Sequence, residues 1–123
     1  TAGVVLLDCV TLWVSNVLLC TEQDATAASA AAVRVGSELD ALLKLYRGAP
    51  WSLVLVTNEV GMGLVPPYPL GRIYRDLLGR VNARLAAEAD AVALLIAGLA
   101  VELKALATAW ERDMAQRLSL DDR

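Results

Sequence analysis

The runs Val4-Val5-Leu6-Leu7 and Leu53-Val54-Leu55-Val56 are continuously apolar over the length of a strand, and a polar residue cuts each of them off. A strand covered on both faces carries such a run, whereas a strand with one wet face alternates. Between them, residues 11–19 have helical spacing with Trp13 and Val17 on one side. Ala28, Ala32, Val35, Leu39, Leu42 and Tyr46 then recur at three- and four-residue steps until Gly48 and Pro50 end a second helix. The polar stretch 21–27 joins the two, with Asp24 or Thr26 as a candidate cap. A third helix is expected from Pro69 or Leu70 to about Ala89, with the stripe Leu70, Ile73, Leu77, Val81 and Leu85. A third apolar run, 91–97, stops at Gly98. Residues 101–103 read either as a short extra strand or as the start of the last helix, whose amphipathic part is 106–118. The terminal residues 121–123 are expected to fray. Strand, helix, strand, helix, strand predicts a parallel α/β sheet with right-handed crossovers. Three strands make a narrow sheet, so part of a larger sheet, or a piece that associates, is expected.

The chain of 123 residues is one domain or part of one, and 57% of it is hydrophobic. No apolar run approaches the roughly 20 residues that cross a bilayer, so the apolar content reads as buried sheet and no membrane partner is expected. A net charge of −3 argues against a general nucleic-acid binder, which needs basic surface. Cys9 and Cys20 are the two cysteines and there is no histidine, which makes a poor zinc site and fits reduced thiols in the cytoplasm. The absence of histidine also removes the commonest general base and phosphoryl carrier. The opening Thr1-Ala2-Gly3 has no methionine and no signal-like segment, so the gene product is expected to begin upstream.

Ligands of open parallel sheets bind beyond the carboxyl ends of the strands. Asp8 follows the first run there and Glu59 follows the second. An apolar run ending in aspartate is also how a Walker B element looks, in which the acid holds Mg²⁺, although many strands end in aspartate only to begin a turn. Thr11, Asn16 and Asn58 are candidate neutral contacts to substrate or nucleotide, with capping and turn formation as the plainer roles. Gly61 and Gly63 supply either flexibility or positive φ for close approach to a ligand, or simply a turn. No Gly-x-x-x-x-Gly-Lys-Ser/Thr phosphate loop and no dinucleotide fingerprint is present. On the third helix Arg72 and Arg75 lie away from the apolar stripe. Arg84 falls within it and needs a partner: Asp76, Glu88 or Asp90 locally, or a neighbouring subunit or anionic ligand.

Three ordered segments carry a resemblance. They are Leu6-Leu7-Asp8-Cys9-Val10-Thr11-Leu12-Trp13-Val14-Ser15-Asn16, then 54–66 with Val56-Thr57-Asn58-Glu59-Val60-Gly61-Met62-Gly63, then Gly79-Arg80-Val81-Asn82-Ala83-Arg84-Leu85-Ala86. In order and separation they resemble the bifunctional adenosylcobinamide kinase / adenosylcobinamide-phosphate guanylyltransferase family of cobalamin biosynthesis, over most of residues 4–104. The resemblance implies an α/β fold with three layers and a mostly parallel sheet, of the RecA-like P-loop NTPase type. Residues 1–123 would be the C-terminal portion of a single such domain, lacking its N-terminal part. It further implies a homo-oligomer, a trimer by family, that phosphorylates adenosylcobinamide with GTP or ATP and Mg²⁺. GMP from GTP is then transferred to the product through a guanylylated histidine. Asp8 matches the family's acid that contacts the nucleotide or its metal, and the positions of Asn58 and Glu59 favour substrate or nucleotide contact. The family's phosphate loop and histidine belong to the N-terminal portion, and no catalytic residue for the transfer is found here. Where the family tends to carry a Ser-Gly-x-Gly-like run, this chain has Ala97-Gly98-Leu99-Ala100 and a tail to Arg123. The 123 residues alone are therefore expected to be inactive. The alternative is a non-catalytic remnant that binds corrinoid or pairs with another subunit.

Overall fold

In the computed structural model, which describes residues 3–20 and 27–121, the first two apolar runs lie side by side. β1 (Val4–Asp8) and β2 (Ser52–Val56) are parallel, in a register that runs from Val4↔Ser52 to Asp8↔Val56. The Ser52 amide extends the ladder by donating to the Gly3 carbonyl at 2.9 Å. Parallel strands cannot be joined by a tight turn, and the crossover here is helical, through α1 (Val10–Leu19) and α2 (Ala27–Arg47). α3 (Pro69–Glu88) follows β2. Its first residue is a proline, where a missing amide costs nothing, and the Arg72 amide closes the first turn on the Tyr68 carbonyl at 3.2 Å.

The core of this part is aliphatic: Val10, Val14, Val17 and Leu18 of α1, Ala31, Val35, Leu39 and Leu43 of α2, and Leu77, Leu78 and Val81 of α3. Each such side chain contributes about 1.5–3 kcal/mol by leaving water, less for alanine. The buried line of α2 steps strictly by four, so it is rotated from the expected stripe. Ala28, Ala32, Leu42 and Tyr46 flank it half-buried. A polar clamp adds to the α1–α2 contact. The Trp13 indole N–H donates to Glu38 Oε2 at 2.7 Å, and Arg34 Nε donates to Glu38 Oε1 at 3.0 Å. The indole bond, with the guanidinium second, holds the Glu38 carboxyl below the usual carboxylate range.

Within these residues the strands are not covered on both faces, as is expected of part of a larger sheet or a piece that associates. On one face Leu7, Leu53 and Leu55 are half-buried and Val5 is 45% exposed, while Val4, Leu6, Val54 and Val56 on the other face remain 69%, 61%, 47% and 42% exposed. The helices that follow each strand bury one side of the pair only.

The chain divides into two compact units, Thr1–Arg84 and Leu85–Arg123. In the second, the third apolar run does not add a parallel strand, contrary to expectation. β3 (Ala93–Ile96) pairs antiparallel with β4 (Leu99–Glu102), with Ile96 opposite Leu99. The physical reason is the link. Ala97 and Gly98 both take positive φ, 51° and 79°, the requirement of a two-residue hairpin turn matched to strand twist. The second reading of 101–103 is settled between strand and helix: β4 ends at Glu102 and α4 (Leu103–Asp121) begins at once. Glu102 caps that helix, its carboxylate accepting from the amides of Val92 (3.0 Å), Ala105 (2.5 Å) and Lys104 (3.3 Å). These bonds, that of Val92 foremost, lower its pKa. Lys104 Nζ donates to the Ala89 carbonyl and, at 3.4 Å, to that of Ala87, which satisfies the end of α3. The fold is thus α/β, a parallel pair plus an antiparallel hairpin with four helices among the described residues, rather than one three-stranded parallel sheet. Asp24, Thr26, Asp122 and Arg123 lie outside those residues. No described helix is long and apolar enough to cross a membrane.

Gly98→Val places a β-branched side chain at left-handed φ and should cost about 1–2 kcal/mol in urea unfolding, whereas Ala97→Gly should stabilise. Because folding lowers the Glu38 pKa, its contribution is present above the unfolded carboxylate pKa and is lost as pH falls through the folded one. Glu38→Gln should therefore flatten the acid limb of a Tm-against-pH curve.

Candidate functional site

β1 and β2 end level, so the segments after them emerge at one edge. Asp8 stands there exposed, with no hydrogen-bond or ion-pair partner among the described residues. Thr11 occupies the first turn of α1, and its hydroxyl donates to Asn58 Oδ1 at 2.9 Å while accepting the Asn58 amide at 3.0 Å. From the other side, the Thr57 hydroxyl donates to Asn82 Oδ1 at 2.7 Å, and Asn82 Nδ2 donates to the Asn58 carbonyl at 3.0 Å. The Tyr74 hydroxyl donates to the Thr11 carbonyl at 3.3 Å. Burial foremost, and repulsion from negative charge at the Cys9 sulfur second, push that phenol's pKa up. The loop after β2 is thereby held to α1 and to α3 at once.

Of the residues expected at the site, Asp8, Thr11, Asn58 and Glu59 gather at this edge. Thr11 and Asn58 bond to each other, which leaves the Asn58 Nδ2 hydrogens unused among the described residues. Glu59 Oε1 accepts the Gly61 amide at 2.6 Å. A Cβ on Gly61 would sit 2.7 Å from Glu59 Oε1, the movable end of an exposed side chain. Neither Gly61 nor Gly63 has positive φ, and a Cβ on Gly63 would meet nothing closer than the Val60 carbonyl at 3.8 Å, so the positive-φ reading is corrected. Asn16 lies ~140° around α1 from Thr11 and is not part of the cluster. Arg84 has a partner beyond the three acids expected locally. It pairs at 2.6 Å with Asp40 on α2, a partner supplied by tertiary packing. Arg72 fastens the proline run instead of facing only solvent, Nη1 donating to the carbonyls of Pro66 and Pro67 at 3.0 Å each. Gly71 lets that run approach α3, since its Cβ would meet Pro66 Cβ at 2.8 Å.

Asn82, Thr57 and Tyr74 were not among the expected site residues. Asn82 was visible only as a polar residue beside the stripe position Val81, inside the segment Gly79-Arg80-Val81-Asn82. One surface hollow lies along α2 beside Val33 and Glu38, and another between Leu18 of α1 and Leu70 and Tyr74 of α3. Among the described residues no three acid, thiol or imidazole groups converge on a metal position.

A parallel pair that gathers an exposed acid and an amide-hydroxyl network at its carboxyl edge presents polar groups where open α/β sheets bind ligands. Residues 1–103 match the family described as cobinamide kinase / cobinamide phosphate guanyltransferase, and the chain belongs to that family. It is similar to the bifunctional adenosylcobalamin biosynthesis protein CobU of Salmonella typhimurium, with 43% identity over 104 residues, 81% of this chain and 58% of the relative. The protein of that name from Escherichia coli is 42% identical over 105 residues, covering 82% of this chain and 58% of the relative. The bifunctional adenosylcobalamin biosynthesis protein CobP of Pseudomonas aeruginosa is 36% identical over 99 residues, 80% and 52% of the respective chains. The chain thus spans a little over half the length of these relatives.

Gly71→Ala should cost about 1–3 kcal/mol in urea unfolding by forcing Pro66 away. Gly79→Ala, on the same helix with nothing within 4 Å of its Cβ, should instead stabilise by about 0.5–1 kcal/mol.

Proposed function

We propose that this chain forms the nucleotide- and substrate-facing edge of a bifunctional corrinoid kinase and guanylyltransferase that assembles the nucleotide loop of adenosylcobalamin. In the first reaction a phosphoryl group passes from GTP or ATP to the hydroxyl of adenosylcobinamide. In the second, GMP passes from GTP to that phosphate and pyrophosphate leaves. The observation that supports this reading best is the convergence of the three family segments: Thr11, Thr57, Asn58 and Asn82 are joined by direct hydrogen bonds at the strand edge where Asp8 and Glu59 also lie. Asp8 is an exposed carboxylate with no partner among the described residues, the hard oxygen donor that Mg²⁺ takes singly beside nucleotide phosphates. It would hold that ion, which when bound neutralises phosphate charge. Asn58 Nδ2 and Glu59 offer a donor and an acceptor beside it.

The 123 residues contain neither a histidine nor a phosphate loop. We place both in the part of the relatives' length that this chain does not span, as the N-terminal portion of one RecA-like, P-loop domain in a cytoplasmic homo-oligomer, a trimer by family. A second reading has one specific observation in its favour. The open aliphatic face of Val4, Leu6, Val54 and Val56 suits a non-catalytic chain that pairs with a subunit supplying the phosphate loop.

Labelled GTP tests the first reading. The complete gene product should form a covalent GMP adduct and convert adenosylcobinamide to adenosylcobinamide-GDP, and the 123-residue chain alone should form no adduct. An adduct on the short chain would show the division of parts to be wrong. A complete product that transfers neither phosphate nor GMP would sink the assignment, and transfer that appears only on mixing with a separate subunit would favour the second reading.

A further inference from the structure

We infer that Asn82, on α3, is a positioning residue for the candidate site: its carboxamide sets the course of the chain after β2 and so the place of Asn58 and Glu59. The inference rests on the functional reading above for what the edge binds, and on geometry for how it is held. Asn82 uses both ends of its side chain, Oδ1 as acceptor for the Thr57 hydroxyl and Nδ2 as donor to the Asn58 carbonyl. Only a carboxamide supplies both at that reach. An aspartate of the same shape has no donor and would set a charge against the Asn58 carbonyl.

Asn58 is consequently gripped through three of its groups. Its amide and Oδ1 belong to Thr11, and its carbonyl belongs to Asn82. What remains unused among the described residues is the Nδ2 end, and the next residue carries the Glu59 carboxylate, itself folded back on the Gly61 amide. The network fixes backbone and leaves the polar groups suited to a ligand at its rim. Its exposure argues in the same direction. Hydrogen bonds open to water add little to stability because water competes for both partners, and Thr57, Asn58 and Asn82 are bonded through exposed contacts. Such a network is poorly explained as a stabilising device and well explained as a device of direction. It also ties the third family segment, which carries no acid or nucleophile at this edge, to the second.

The test has two arms. By amide hydrogen exchange on the 123-residue chain, Asn82→Leu and Thr57→Val should each speed exchange of the Asn58 amide about tenfold, the scale expected when one to two hydrogen bonds stop restraining a segment. The strand amides of Leu6 and Val54 should not change, and Thr57→Ser, which keeps the hydroxyl, should recover the protection. In the complete gene product, the Leu and Val variants should lower kcat/KM for adenosylcobinamide about tenfold at unchanged Tm, and the Ser variant should recover it. Unaltered Asn58 exchange in both variants overturns the inference. So does faster exchange with undiminished kcat/KM, which would make Asn82 structural only. If the natural complete product turns over no corrinoid, the functional reading falls by itself, and the exchange arm alone decides whether Asn82 holds the edge.

Discussion

With Asp8 opposite Val56, the two parallel strands finish level, and every group of the candidate site follows from that register. A slip of one residue would turn each side chain of a strand to the other face and separate Thr11 from Asn58, which lie 47 residues apart in sequence and 2.9 Å apart in space. What defends the register is aliphatic. Leu7, Leu53 and Leu55 lie on the half-buried face, above helices whose buried positions are Val, Leu and Ala alone, and among the described residues no polar or charged residue is buried. Cohesion is thus an apolar matter, and the polar groups are free to serve direction. The Arg84–Asp40 pair fits this division. With side chains 49% and 67% exposed it contributes less than about 1 kcal/mol.

The local elements were legible in the sequence. Ser52–Val56 lies where its unbroken run placed it, Pro69 opens α3, and Gly48 with Pro50 follows the end of α2. Each of these signals is contained within a few residues. Partner choice is not. The run 91–97 looks the same whether it joins a parallel sheet or folds back on itself, and the difference lies in the ability of Ala97 and Gly98 to take left-handed backbone together. The open face of β1 and β2 was also illegible in detail, because a continuous apolar run reports that cover is wanted without reporting what supplies it.

The site was legible in part for the same reason. Strand logic placed Asp8 and Glu59 at one edge without any structure, since parallel strands deliver their ends together. Asn82 escaped because its partners, Thr57 and Asn58, are 25 and 24 residues away, on another element. Its neighbour Val81 marks the buried side of α3, and nothing in helical spacing distinguishes an asparagine that faces water there from one that reaches a loop. Asn16 shows the converse. It reads as equally polar and equally close to Asp8 in sequence, yet the helical turn carries it away.

The hairpin turn at Ala97 and Gly98 also sets the two strand pairs apart in the cost of bringing their partners together. Ile96 meets Leu99 across a separation of three residues, whereas Val4 meets Ser52 across 48. Four doublings of loop length correspond to about 2.4 kcal/mol of additional closure entropy in a flexible chain. The hairpin is therefore a local event that the chain meets at little entropic expense. The edge bearing Asp8 and Glu59 exists only after the long crossover has closed, so of the two strand pairs it is the one whose ordering is sensitive to everything between them.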